Sequence, residues 1–446
     1  MKKNIQISLI FIIALIFISA TIDLNNLFNY QNQTVPEYIL MDNTSAENTI
    51  TDKGATLGRV LFYDKKLSSN NTISCASCHK QEFAFSDKAQ FSQGVNGETL
   101  RHSMRLINSR FSEESKFFWD ERAISLEDQA TKPIKDHIEM GFSGTNGDPN
   151  FQDLIVKLSE TTYYPKLFTA AFGEAIINEE KIAKALAQFI RSIQSFDSKY
   201  DKGLALVTNH LDDFPNFTSD ENTGKRLFTE NYEYEIEEVT IKQFKGDVVA
   251  TVAHRKSGGL NCASCHRPPE FDIDPNSLNN GFDRPLNGQP IRNRDFTVTR
   301  SATLRDLINP NGGINEVNSP LFHGGTTTDI AEGILANYNF KEIHEDNNNL
   351  DARLAPEGYP QFLEMTNLEI KQLVDFLNTL SGKDVYTNEE WSNPFDASGE
   401  LEVFFNSTNT EDLATSNISV YPNPPGSWIP EDSPGSHYNY HQKPSG

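Results

Sequence analysis

Every cysteine in the chain falls in one of two pentapeptides, Cys75-Ala76-Ser77-Cys78-His79 and Cys262-Ala263-Ser264-Cys265-His266. Two thiols three positions apart reach the two vinyl groups of one haem, and the histidine that follows turns beneath the macrocycle to ligate its iron. The spacing therefore predicts two covalently bound c-type haems, with His79 and His266 as the proximal iron ligands, in a redox protein. Two other readings use the same residues. Structural zinc also draws on Cys-x-x-Cys pairs, but such pairs usually lie far closer together and need no histidine after each. A pair of disulfides would leave the duplicated Cys-Ala-Ser-Cys-His without a reason.

The elements that must position these motifs repeat with them. Gly58-Arg59-Val60-Leu61-Phe62 precedes the first motif and Gly224-Lys225-Arg226-Leu227-Phe228 the second, so each site begins with a similar helix and loop, and two related domains are expected. Ile182, Leu186, Phe189, Ile190 and Ile193 follow helical spacing behind an Asn178 N-cap, which predicts a helix closing the first domain. A Thr366-x-x-Glu369 capping box, an apolar face of Ile370, Leu373, Val374 and Leu377, and Gly382 as a stop predict a second closing helix over 366–380. The second copy carries extra residues, 229–261, where Val239, Ile241, Val248, Val249 and Val252 suggest a small β-hairpin serving as a surface loop. Segments rich in Gly, Asn, Asp and Pro fill the rest, as expected where loops wrap a large cofactor.

Lys2 and Lys3 followed by an apolar run from Leu9 to Ile18 and by Ser19-Ala20 have the layout of a secretory signal over 1–20. Haem attachment would follow export. With no cysteine near the cleavage region for a lipid anchor, the mature chain is expected to have no stable membrane insertion unless the signal stays in place. A length of 446 residues exceeds what one core organises, and the expected division is 21–210, 211–390 and a disordered tail over 391–446. The net charge of −23 argues against nucleic acid and anionic membrane surfaces, and suits a small or basic redox donor.

With these motifs in view the chain resembles the bacterial dihaem cytochrome c peroxidase family, which includes the MauG-like enzymes. The resemblance runs from about Gly54 to Gly382. It is carried, beside the two pentapeptides, by Leu67-Ser68, Phe117-Phe118-Trp119-Asp120-Glu121-Arg122-Ala123, Leu126-x-x-Gln129-Ala130, Pro133-Ile134, Glu139-Met140, Thr303-Leu304-Arg305 and Phe322-His323-Gly324-Gly325. It implies a mainly α fold of two cytochrome c-like domains, each around one haem, with a shared interface. It also implies that the first haem is peroxidatic and the second transfers electrons. Glu139 and Gln129 fall at the family positions that move a proton between peroxide oxygens, and Trp119 at the position that mediates electron transfer between the haems.

Some family members close the first iron with a histidine on the loop after the motif. The matching stretch, Ser92-Gln93-Gly94-Val95-Asn96-Gly97, has none, so a site open to peroxide without reductive activation is expected; the nearest alternative, His102, reads more simply as a loop histidine bonded to backbone or propionate. For the second iron the family uses methionine or tyrosine. Tyr338, in Ala336-Asn337-Tyr338-Asn339, matches the tyrosine position if one residue is inserted among Thr326 to Thr328, and is favoured over Met365 just before the capping box. Many members hold calcium through an asparagine, but His102 stands at that position here, which argues against the ion.

The resemblance implies reduction of hydrogen peroxide to water with electrons from an external donor. A MauG-like oxidase acting on a protein or small molecule is the alternative, which Tyr338 ligation favours, and a non-catalytic electron carrier is a third. Ile418-Ser419-Val420-Tyr421-Pro422-Asn423-Pro424 resembles the opening of a type IX secretion sorting domain, without the β-sandwich pattern that normally follows. The expected location is the periplasm, with the cell surface or secretion as the alternative.

Overall fold

The computed structural model describes residues 20–242, 246–282, 295–310 and 317–404; the expected signal segment up to residue 19 and the sorting-like segment lie outside them. In chain order the helices are α1 (Asp52–Tyr63), α2 (Cys75–Cys78), α3 (Leu126–Ala130), α4 (Phe151–Ser159), α5 (Tyr164–Phe172), α6 (Glu179–Ser192), α7 (Lys199–Leu204), α8 (Ser219–Thr229), α9 (Ile330–Ile334) and α10 (Asn367–Asn378). The strands are β1 (Thr21–Asp23), β2 (Gln93–Gly94), β3 (Gly97–Glu98), β4 (Tyr232–Ile241), β5 (Val248–Gly258), β6 (His266–Arg267), β7 (Asp272–Ile273), β8 (Gln361–Phe362) and β9 (Glu402–Phe404). The fold is rich in helix with small sheets, and no helix among the described residues is long and apolar enough to cross a membrane.

The internal repeat is a repeat of packing. Gly58 of α1 lies against α6 so closely that a Cβ would sit 1.9 Å from the Ala185 carbonyl oxygen, and Gly224 of α8 meets the Gln372 carbonyl of α10 at the same 1.9 Å. Only glycine permits that approach. One helical turn on, Phe62 packs on Phe189 with ring centroids 5.2 Å apart and on Phe85 at 5.9 Å. Phe228 repeats this on Phe376 at 5.3 Å and Phe271 at 5.7 Å. Two buried clusters grow around these triads, each next to one Cys-x-x-Cys-His motif.

The predicted caps form. Asn178 accepts from the Lys181 amide at the start of α6, and Thr366 and Glu369 close a capping box on α10. Gly382 is not the stop of α10, which ends at Asn378; its amide donates to Asp306 and a Cβ there would strike Asp197 at 2.0 Å. The predicted hairpin also forms, as strands of 10 and 11 residues. It is more than a surface loop: Ile241 and Val252 pack with Phe362, and β5 pairs in parallel with β8.

Two boundaries differ from expectation. Tyr200 and Leu204, expected within 21–210, pack in the second cluster. Residues 391–404 are packed rather than disordered: Trp391 is 2% exposed, Leu401 and Val403 join the first cluster, and β9 pairs in parallel with β1. The Trp391 carbonyl accepts from the Tyr63 hydroxyl at 2.7 Å and the Ser392 carbonyl from Arg59 at 2.6 Å. Burying one large aromatic ring outweighs the weak local propensity of this Asn- and Pro-bearing segment. Residues 405–446 of the expected tail lie outside the described residues.

Candidate functional site

The four cysteines are unpaired, and Cys78 lines one cavity while Cys262 and Cys265 line another, so they form neither disulfides nor one zinc site. Burial pushes the thiols of Cys75 and Cys262 up to about 12. In the first motif a single turn, α2, places both cysteines on one side, and the His79 Nδ1–H donates to the Phe85 carbonyl at 3.1 Å. His79 lines the first cavity, and a backbone partner on Nδ1 of this kind fixes the ring of an iron-ligating imidazole. In the second motif His266 Nδ1 is buried with no partner among the described residues.

The first cavity, about 1070 Å³, is lined by Cys78, His79, Trp119, Gln129, Pro133 and Glu139. The structure thus brings together the three residues that the resemblance named. Burial raises the Glu139 carboxyl to about 7, with Asp136 adding to the shift and Arg122 opposing it. Asp136 also fixes the segment, its carboxylate accepting from the Ile138 and Glu139 amides at 2.8 and 3.0 Å. Arg122 stacks over Phe118 at 3.6 Å and donates to Asp120.

The loop expected to hold or lack an iron-closing histidine has another task. None of residues 92–97 lines the first cavity. The Val95 and Asn96 amides instead donate to the Glu139 and Ile138 carbonyls at 3.0 and 3.1 Å, and Gly94 comes so near that a Cβ would lie 2.1 Å from the Ile138 oxygen. The β2–β3 turn therefore clasps the backbone of Glu139.

His102 is 4% exposed, and its Nδ1 faces the Ala89 and Gln90 carbonyls at 3.1 Å while Nε2 faces the Ser86 hydroxyl at 3.3 Å. Burial pushes it down to about 4, so it stays neutral and bonded to backbone. Its main chain joins the two halves: the His102 amide donates to the His323 carbonyl at 2.7 Å, and its carbonyl accepts from the Trp119 indole at 2.8 Å. Trp119, His102 and His323 line both cavities, and the Trp119 and His323 rings meet edge-on at 6.3 Å. His323 had no assigned role in the sequence; the Phe-His-Gly-Gly motif was its only signal.

The second cavity, about 200 Å³, is lined by Cys262, Cys265, His266, Tyr338 and Met365, so both candidate ligands reach it. Tyr338 sits where α9 widens into a π-helical turn, Leu335–Asn339, a distortion that often marks functional positions. Its phenol is raised to about 12 by burial, and its hydroxyl lies 3.4 Å from Asn280 Nδ2. Met365 is 8% exposed within the second cluster. The donor sets, the oriented His79 and the paired cavities fit one c-type haem at each motif.

Residues 52–208 match the family model of di-haem cytochrome c peroxidase. Over 342 residues, 75% of this chain and 84% of the relative, the chain is 26% identical to the methylamine utilization protein MauG of Methylophilus methylotrophus. It is 25% identical over 337 residues to the cytochrome c551 peroxidase of Nitrosomonas europaea, covering 74% of this chain and 80% of that one. The fold is shared with a solved MauG-like protein associated with microbial copper homeostasis, at a TM-score of 0.59 and 24% identity over 81% of this chain and 99% of that one. Residues 52–208 thus carry the match to the di-haem cytochrome c peroxidase family, and the similarity to MauG and peroxidase relatives extends over 74–75% of the chain. Its relatives include both MauG-type and peroxidase-type proteins.

Proposed function

We propose that the protein reduces hydrogen peroxide to water at the first site, with two electrons delivered through the second from a small redox donor outside the cytoplasm. The observation that carries this reading is Glu139, a carboxyl raised to about 7 in the wall of the cavity that also receives His79 and Gln129. Haem bound by Cys75, Cys78 and His79 would supply an iron that takes peroxide and electrons. Near neutral pH Glu139 is divided between acid and carboxylate, which lets it accept the proton of one peroxide oxygen and return it to the other. Gln129 supplies an amide donor to the same space. Trp119, hydrogen-bonded to His102 between the cavities, is the path for electrons. The absence of any 92–97 side chain from the cavity supports a site ready for peroxide without prior reduction.

A MauG-like oxidase is the second reading, favoured by Tyr338 in the second cavity, where a phenol oxygen on iron would stabilise the oxidised state. Electron paramagnetic resonance of the fully oxidised protein tests the first reading. A high-spin ferric signal consumed by peroxide is expected; two low-spin signals inert until one iron is reduced would overturn the open site. Steady turnover that requires a reduced donor separates peroxidase from oxidase.

A further inference from the structure

The 229–261 insertion, which has no counterpart in the first half, touches the second site. Tyr232 and Tyr234 lie two positions apart on β4 and share one face, with ring centroids 6.1 Å apart. Tyr232 packs against the second cluster, and its hydroxyl donates to Gln361 Oε1 at 3.1 Å. Gln361 lines the second cavity, and its Nε2 donates to the Tyr338 carbonyl at 2.8 Å. At the outer end Tyr234 is 36% exposed, and its hydroxyl donates to Glu357 Oε1 at 3.2 Å. A series of contacts thus runs from the cavity to solvent through Tyr338, Gln361, Tyr232 and Tyr234.

Protons decide where an oxidising equivalent rests on such a series. A phenol that loses an electron becomes strongly acidic and must release its proton. The Tyr232 hydroxyl faces a neutral amide, which is a poor base. The Tyr234 hydroxyl faces a carboxylate, so the oxidised state is favoured at the surface. Glu238 shares the Tyr234 face of β4 and Glu357 lies against the Tyr234 hydroxyl, while Arg255, paired opposite Tyr234, is engaged by Glu369, which favours neutral or cationic molecules at this face over anions.

We propose that Tyr234 is the surface terminus of an electron route into the second site, where neutral or cationic one-electron donors of the aromatic amine or phenol class are oxidised without entering either cavity. The inference rests on the peroxide-reducing reading above, which supplies the oxidant. With an oxidised haem held at His266, one electron would pass to it from Tyr234 through Tyr232, and the Tyr234 hydroxyl proton would pass to Glu357. A neutral tyrosyl radical is left beside a neutral glutamic acid. The donor returns one electron, Glu357 returns the proton, and two such passages supply the two electrons that one peroxide requires.

The test is electron paramagnetic resonance of the full-length, haem-loaded protein, frozen after peroxide is added without donor, with a nitroso spin trap and peptide mass mapping in parallel. A tyrosyl signal and a trap adduct on Tyr234 are expected, both lost in Tyr234→Phe and kept in Tyr359→Phe, an exposed tyrosine outside the series. Glu357→Gln, which keeps a hydrogen-bonding group but not a base, should lower the radical yield. The same signal in Tyr234→Phe, or an adduct on another tyrosine, would overturn the route while leaving the peroxide reading intact, provided that peroxide consumes the ferric signals. Ferric signals untouched by peroxide would overturn both.

Discussion

The two Cys-Ala-Ser-Cys-His sites share a pentapeptide and a glycine–phenylalanine framework, yet their surroundings differ. The first opens on about 1070 Å³ and carries Glu139 and Gln129; the second has about 200 Å³ and faces Tyr338 and Met365. His79 is oriented by the Phe85 carbonyl, whereas the His266 Nδ1 is buried without a partner among the described residues. The pentapeptide is common to both sites, and the loops brought over it make the difference in space and lining. A carboxyl with room in front of it suits peroxide chemistry; a tight pocket closed by a side-chain ligand suits electron transfer.

Removing the group that most separates the sites should have the largest effect. Glu139→Gln is expected to lower peroxide turnover by about 10²–10⁴-fold while leaving the haem optical spectra nearly unchanged. Unaltered turnover would remove Glu139 from the mechanism and much of the contrast with it. Burial favours the neutral acid, so the carboxylate that accepts a proton is gained only as pH rises, and wild-type turnover should increase through about pH 7. A pH profile that keeps this step in Glu139→Gln would assign it to another group.

The arginine clamps of the two halves should differ next. Arg305 is wholly buried and bonds both Asp201 oxygens at 2.9 Å, with the Tyr38 hydroxyl donating to the same carboxylate at 2.7 Å. In the first half Arg191 is buried but its partner Glu127 is 21% exposed. Asp201→Asn should therefore cost about 3–5 kcal/mol by leaving a buried guanidinium uncompensated, and Glu127→Gln less, in denaturant unfolding of the haem-loaded protein. Equal losses would show that the halves are braced alike. Gly58→Ala and Gly224→Ala test what the halves share: each should cost about 1–3 kcal/mol by forcing α1 from α6 or α8 from α10, and a harmless change at one site alone would break the packing repeat.

The smallest effect on stability and the sharpest on identity concerns the second site. Tyr338→Phe should change the spectrum of the second iron and leave the first unaltered, while Met365→Leu should change neither. The reverse pattern would make Met365 the ligand and bring the second site closer to an ordinary electron-transfer haem.

Much of this was legible in one dimension, and the failures are instructive. Asn178 and Thr366–Glu369 cap their helices as read, because caps are local hydrogen bonds between residues at most three positions apart. The hairpin strands were foreseen from Val239, Ile241, Val248, Val249 and Val252, but not their third strand, which comes from Gln361–Phe362. Trp391 to Phe404 read as a polar tail because its partners, Tyr63, Arg59 and Thr21–Asp23, lie at the other end of the chain. Val95 and Asn96 were read for a ligand that their loop lacks, while their amides donate to the Glu139 and Ile138 carbonyls through bonds that no side-chain pattern encodes.

The sequence by itself determined the two attachment motifs, the repeat around them and the helices that close each half, since all of these rest on short-range spacing and periodicity. Tertiary structure alone decided that Glu139 faces a large cavity while Tyr338 faces a small one, that His102 and His323 join the halves through main-chain bonds, and that Tyr232 and Tyr234 reach from the second cavity to solvent. Burial, and with it the proton affinity of a carboxyl or a phenol, depends on residues distant in sequence that exclude water together.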